Sequence, residues 1–360
     1  MEKQHQIFFD FIRFCIGSDS EIPSSLKEAD WKELYRIAQK QCLVGILFDG
    51  IQKLPPAEVG MSKDLLLQWM MQCQMLEKAN VRLNDAAIQV SEWFRKKGFR
   101  TCILKGQGNA LIYPNPYSRT PGDIDIWVEG GDKWVISFVR SISPHEKACY
   151  HHIEFPSYKG VEVEVHYRPS FLLCFWHNRK LQKYYERMKE EQFSHRVMLG
   201  EQGEIAIPTV EFNFIFQLTH IYAHLMNEGI GLRQLLDYYY VLIRDDLSLI
   251  RDRVQKELRE LGLWKFAGAI MYIMQEVFGM PASRLIVPPN EKYGKFVLNE
   301  VLEAGNFGKH DERNRFGKSK LGHNLQRVYR DIRLVRYFPA EALSEPIFRT
   351  WHFFWRLRHK

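Results

Sequence analysis

No apolar run in the chain reaches the roughly 18–20 residues that a bilayer-spanning helix needs, so no membrane span is expected. The start, MEKQHQIFFDFIRFCIGSDS, is amphipathic and lacks a basic region followed by a continuous apolar stretch. It is not read as a secretory signal, and a cytoplasmic location is the expectation. The six cysteines (Cys15, Cys42, Cys73, Cys102, Cys149 and Cys174) are widely spaced, with no CxxC pair. That argues against a disulfide framework and against a structural zinc site, leaving buried reduced thiols as the expected state. Repeats, low-complexity tracts and long linkers are also missing, so the parts of the chain should pack together.

What is present is ordinary for a globular protein. Of 360 residues, 46% are apolar and 26% charged, enough for a sizeable core and two or three substructures. The net charge of +7 is unevenly spread: Arg313–Lys360 holds 12 Lys or Arg against 3 Asp or Glu, which leaves about −2 for the rest. Such a segment suits either a polyanionic partner or a solvated helix face. Within it Arg327, Arg330, Arg333 and Arg336 recur every third residue, interleaved with Leu325, Val328, Ile332 and Val335. On a helix this spacing predicts a slanting basic stripe beside an apolar stripe that packs inward. RNA is the polyanion considered, with ion pairing inside the protein as the alternative. The aromatic end WHFFWRLRHK reads as packing on a helical domain in preference to a membrane-surface helix.

Periodicity divides the chain into three. Residues 1–97 read as helical, with SSLKEADWKEL suggesting a Ser cap and SKDLLLQW…RKKG a long helix stopped at Gly98. Residues 98–208 mix signals: RTCILKG and DIDIWVEGG read as strands, DKWVISFVRSI as a helix, and HHIEFPSYKGVEVEVHY as a hairpin turning at Ser157–Gly160. Residues 209–360 turn helical again, with two helices joined at Gly229–Gly231. The expected fold is α+β: a small mixed-sheet core flanked by helical parts.

The chemistry is concentrated in LKGQGNALIYPNPYSRTPGDIDIWV, residues 104–128. Asp123 and Asp125 lie two apart on a predicted strand, so they project from one face. Paired carboxylates repel unless a cation lies between them, and hard divalent ions such as Mg²⁺ prefer such oxygens. Glu162 and Glu164 repeat the spacing on a later strand and could supply a third carboxylate. Lys105, Gly106 and Gly108 suit phosphate binding through a point charge and close backbone approach, and Arg119 could reach a phosphate oxygen. His166 reads as structural. His220 and His224 share a helix face, as do Arg233 and Asp237. With no HExxH pattern a zinc hydrolase is not indicated. This second cluster reads either as packing braced by an Arg233–Asp237 ion pair or as part of an acceptor or nucleotide site.

The ordered set of a Gly-containing turn, an Arg, a D-x-D strand and a later acidic strand resembles the DNA polymerase β-type nucleotidyltransferase superfamily. More closely, LKG, YPNPYSRTPGDIDIWV, VEVEVHYRP and HIYAH…GIGLRQLLDY resemble a bacterial family of uncharacterised nucleotidyltransferases. The resemblance implies that Asp123, Asp125 and Glu164, the last preferred over Glu162, hold two Mg²⁺ ions. It implies transfer of a nucleoside monophosphate from an NTP such as ATP to an acceptor (small molecule, sugar, protein or RNA), releasing pyrophosphate. Where the superfamily usually has Gly-Ser, Gly106 is followed by Gln107, with Lys105 ahead of it, which shifts phosphate binding to Lys105 and backbone amides. A nucleotide- or RNA-binding regulator, or a toxin–antitoxin component on the same fold, is the alternative.

Overall fold

The apolar spacing of the first hundred residues builds four helices: α1 (Lys3–Ile16), α2 (Trp31–Gln41), α3 (Val44–Ile51) and α4 (Lys63–Lys96). The computed structural model describes residues 3–56, 59–201, 203–244, 247–313, 316 and 319–359. The α2 cap is not the expected serine. Ser24–Glu28 forms a separate 3₁₀ turn, and Asp30 caps α2 by accepting from the Lys32 and Glu33 amides at 3.0 and 3.2 Å. The 34 residues of α4 span about 51 Å at the helical rise. Gly98, at φ +86°, supplies the left-handed residue that ends it.

After α4 come β1 (Thr101–Ile103), the short α5 (Gly106–Ala110), β2 (Ile124–Val128), α6 (Gly131–Ile142) and the hairpin β3 (His152–Tyr158) and β4 (Val161–His166). The sheet order is β1-β2-β4-β3, with β2 and β4 parallel and the outer pairs antiparallel. Lys159 and Gly160, both at positive φ, form the hairpin turn inside the expected span. The even spacing of Ile124, Ile126 and Val128, with Val161, Val163 and Val165, puts these side chains on one sheet face. There they join a core with Phe94 of α4 and Val135, Ile136 and Val139 of α6. The opposite face carries the acidic residues.

The remaining elements are α7 (Phe175–Ser194), a ribbon of β5 (Arg196–Leu199) and β6 (Gly203–Ala206), then α8 (Val210–Asn227) and α9 (Leu232–Arg244), joined through Gly229–Gly231 as expected. They are followed by α10 (Arg251–Glu260), α11 (Trp264–Glu276), α12 (Glu291–Ala304), α13 (Lys320–Val335) and α14 (Pro339–Arg358). The ribbon is an addition to the sequence reading: its four-residue strands are too short for a clear period-two signal. The larger core runs from Ile7 of α1 through Tyr238 of α9 to Phe348 of α14, so N-terminal and C-terminal helices share one apolar interior. Among the described residues no helix is long and apolar enough to cross a membrane.

The expected arrangement of the basic segment needs correction. On α13 the apolar residues Leu325, Val328 and Ile332 face outward, Ile332 being 65% exposed, while Arg330 is 7% exposed. Arg330 Nη2 donates to the Glu228 carbonyl (3.1 Å), and Arg333 Nη2 pairs with Glu300 (3.2 Å). The inward side of α13 is thus mixed: Leu334 is buried and Val335 packs on the larger core as expected, while Arg330 and Arg333 meet a carbonyl and a carboxylate. Arg327 and Arg336 stay exposed. At the chain end, Trp351 packs on Tyr150 and Phe175, whereas Phe353, Phe354 and Leu357 remain open to solvent. Arg330→Glu should cost about 3 kcal/mol by setting a buried carboxylate against a carbonyl. Arg327→Glu should stay within about 0.5 kcal/mol. Urea denaturation of both variants checks this; equal midpoints would contradict the inward placement of Arg330.

Candidate active site

The parallel pairing of β2 with β4 sets Asp125 directly opposite Glu164. On the same face the antiparallel register sets His152 opposite His166 and Glu154 opposite Glu164. The face alternation that buries the valines thus gathers Asp123, Asp125, Glu164, His152 and His166 on one side. At the far end of this face Trp127 is covered by Phe193 of α7 and Phe212 of α8, while the Asp123 end opens into a cavity. One oxygen each from Asp123, Asp125 and Glu164 lie within 4.8 Å of one another. An all-oxygen, three-carboxylate set of this kind fits a hard divalent cation.

Asp125, 2% exposed, is held ionised by two cations: Lys105 Nζ lies 3.0 Å from Oδ2, and His166 Nε2 donates to Oδ1 at 2.9 Å. Burial opposes its charge, but Lys105 and His166 outweigh burial and keep its pKa below the usual carboxylate range. His166 Nε2 also lies 3.3 Å from Glu164 Oε2, and Nδ1 faces the Arg168 carbonyl at 3.3 Å. Both ring nitrogens therefore face acceptors, as an imidazolium requires. Burial disfavours that charge, yet the hydrogen bonds to Asp125 and Glu164 raise His166 to about 9. Glu164 is disfavoured as an anion by burial, but its His166 contact and the charge near His152 lower it to about 2. His152, 3.2 Å from Glu164, is driven down to about 4 by burial and then by His166. The sequence marked His166 as structural. Its position two residues after Glu164 on a strand was the signal that it shares the acidic face.

Lys105 occupies a strained backbone position, φ +44° and ψ −144°, which costs about 1–3 kcal/mol for a non-glycine residue. Its ammonium also donates to His220 Nε2 at 3.2 Å, and burial together with that ammonium pushes His220 far below the usual imidazole range. Gly106, at φ +50°, continues the turn and lines the same pocket as Lys105 and Asp123. Gly108 lies elsewhere: a Cβ there would come 3.0 Å from Ile207 Cγ2, so it serves close packing at a separate pocket.

Arg119, 3% exposed, forms a two-bond clamp on Asp237 of α9, with Nε and Nη2 each 2.8 Å from a carboxylate oxygen. Tyr113 adds a third bond to Asp237 at 2.7 Å. The guanidinium expected to reach phosphate is thus engaged with α9. Asp237 pairs with Arg119, not with Arg233 as the sequence spacing suggested. Arg233 instead donates from Nη1 to the Thr120 carbonyl (3.0 Å), its buried Nε has no partner among the described residues, and it lines the pocket beside Asp123 together with Arg119. His220 and His224 meet edge to face, with ring centroids 4.2 Å apart, and both line the main cavity. That cavity, about 870 Å³, is also lined by Arg327, Arg349 and His352 of α13 and α14.

The charges of the metal-free site make stability pH-dependent. His166, raised above its unfolded value, contributes stability that is full below about 6.5 and is lost as pH rises through about 9. Glu164, depressed, contributes stability that is full above about 4.5 and is lost as pH falls through about 2. Thermal melts in chelator between pH 6.5 and 10 should fall more steeply for the wild type than for His166→Gln. Parallel curves would remove the imidazolium assignment.

Residues 27–279, more than half of the chain, match the family described as uncharacterised nucleotidyltransferases. A comparison with curated proteins gives no match. Among solved structures, an antigenic nucleotidyltransferase-like protein from Paracoccidioides brasiliensis aligns at 13% identity and a TM-score of 0.32, covering 59% of this chain and 95% of that one. By the extent of the family match, the chain belongs to the uncharacterised nucleotidyltransferase family.

Proposed function

We propose that the protein is a metal-dependent nucleotidyltransferase of the DNA polymerase β type. It would move a nucleoside monophosphate from an NTP to an acceptor nucleophile and release pyrophosphate. The convergence of Asp123, at the entry to β2, with Asp125 of β2 and Glu164 of the adjacent parallel β4, all lining one cavity, carries this reading. A cavity of about 870 Å³ is within the range of small-ligand and cofactor sites. Asp123, Asp125 and Glu164 would hold two Mg²⁺ ions. Bound there, the ions would neutralise triphosphate charge and make an acceptor hydroxyl more acidic.

The chain's own groups would do the positioning. His166 keeps Asp125 and Glu164 ionised and fixes their orientation. Lys105, with the Gly106 backbone, would meet phosphate oxygens where negative charge develops. Arg233 is better placed than Arg119 for the same task, because Arg119 is spent on Asp237 and holds the loop before β2 against α9. Gly108, packed against Ile207, is left out of the phosphate site. Use of an NTP fits a cytoplasmic protein. Any RNA contact would fall on Arg327 and Arg336, since Arg330 and Arg333 are engaged internally.

Incubation with labelled NTPs, Mg²⁺ and a cell lysate should label an acceptor, and its chemical nature identifies the substrate class. Asp123→Ala and Asp125→Ala should each lower transfer by more than about 100-fold, since direct ligands matter at least as much as the groups behind them. Glu164→Gln should lose far more turnover than Glu162→Gln, whose side chain is exposed. Wild-type transfer by either alanine variant would end the catalytic reading. NTP binding without transfer to any acceptor would favour a nucleotide-binding regulator on the same fold.

A further inference from the structure

The start of α7 meets the start of α14 at a cluster that nucleotidyl transfer does not use. Cys174 caps α7 and His177 follows three residues later, so one helical turn brings both side chains to the same side. Glu341, in the first turn of α14, packs against them. Its Oε2 accepts from the Leu173 amide at 2.6 Å and the Cys174 amide at 3.3 Å. Its Oε1 is buried with no hydrogen-bond partner among the described residues; Nδ1 of His177 is 3.6 Å away. Glu341 is 2% exposed. A buried carboxylate oxygen without a partner is costly, which points to a missing cation. The Cys174 sulfur, a His177 ring nitrogen and a Glu341 oxygen all lie within 4.8 Å of one another.

We infer that Cys174, His177 and Glu341 form a transition-metal site, best suited to Zn²⁺, with a water completing the tetrahedron. Around zinc, with nitrogen and carboxylate oxygen each about 2.1 Å from the ion, those two ligand atoms sit about 3.4 Å apart. The 3.6 Å between His177 and Glu341 requires little adjustment. A sulfur and an imidazole nitrogen select against Mg²⁺ and Ca²⁺, so this donor set is chemically separate from the three-carboxylate set. Binding replaces the Cys174 thiol proton with the ion, and the thiolate and the Glu341 carboxylate together neutralise its two charges. The imidazole has a restricted seat: a Cβ on Gly262 would lie 2.3 to 2.8 Å from three of its ring atoms. The expectation of no structural zinc rested on the missing CxxC pair. This set is Cys-x-x-His, completed by a glutamate that sequence spacing does not connect to it.

The ion would clamp α14 to α7. Because α14 contributes Glu345, Phe348, Arg349 and His352 to the cavity wall, the clamp would also set the position of that wall. The test uses the full chain, stripped with chelator and titrated with Co²⁺ as a spectroscopic probe and then with Zn²⁺. About one equivalent of Co²⁺ should give thiolate-to-metal charge-transfer absorption that persists in Cys149→Ser and is lost in Cys174→Ser. The Cys149 control matters because Cys149, His151 and His152 form a second sulfur-containing group. Zn²⁺ should raise the melting temperature of the wild type but not of His177→Ala or Glu341→Gln, with affinity falling at least about 100-fold. Cys174→Ser and Glu341→Gln are near-isosteric and keep polar groups at both positions, so loss of the signal there reports loss of a ligand. Absorption that follows Cys149, a signal unchanged in Cys174→Ser, or no zinc effect on the wild-type melt would each overturn the assignment.

Discussion

The register of β2 against β4 is the constraint from which the site follows. Ladder hydrogen bonds hold Asp125 opposite Glu164, and the period of two leaves no choice about which face they share. A slip of one residue would send the carboxylates into the apolar face and Val163 and Val165 out of it. The hydrophobic packing of that other face against α4 and α6 therefore also fixes the electrostatics of the site. Buried Asp125 and half-buried Glu164, side by side, cannot remain ionised beside an apolar core without compensation. Lys105 and His166 supply it, and burial, reinforced by their positive charge, drives His152 and His220 toward neutrality. The resulting surface carries anions at its centre and neutral, hydrogen-bonding imidazoles around them.

A second buried pair holds this sheet in the helical body. Arg119 and Asp237 bridge the loop before β2 to α9, with Tyr113 sharing the carboxylate. Asn80 of α4 grips the same loop by donating to the Tyr117 and Arg119 carbonyls, both at 2.9 Å. Buried ion pairs are weak sources of stability, because desolvation offsets most of their attraction. Their geometric demands are strict, and here those demands orient the segment that delivers Asp123. The shared core of N-terminal and C-terminal helices provides the stability within which that orientation is maintained.

Much of this was legible in the sequence because the decisive patterns are local. The D-x-D strand, the VEVEVHY strand, the glycine stop after α4 and the Gly229–Gly231 break each occupy a few consecutive residues. Their periodicity follows from backbone geometry. The basic segment misled for a related reason: a period of three specifies a stripe on α13 but not what lies beneath it. Beneath α13 the surface is apolar at Leu334 and Val335 but polar at the Glu228 carbonyl and Glu300, which turn Arg330 and Arg333 inward and leave Leu325, Val328 and Ile332 outside.

The sequence by itself determined the α+β class, the two strands that carry the acidic residues and Asp123 and Asp125 as candidate ligands, because spacing along a strand or helix dictates which side chains share a face. The choice of Glu164 over Glu162 came from the family resemblance, and the pairing of the two strands from the tertiary structure. Only the tertiary structure decided partners far apart in the chain. It gave Arg119 to Asp237, His166 to Asp125 and Glu164, Lys105 to His220, and Glu341 to the start of α7. Such choices depend on which surfaces the hydrophobic cores bring together and on which buried charges then find the nearest compensation, and neither is encoded in local periodicity.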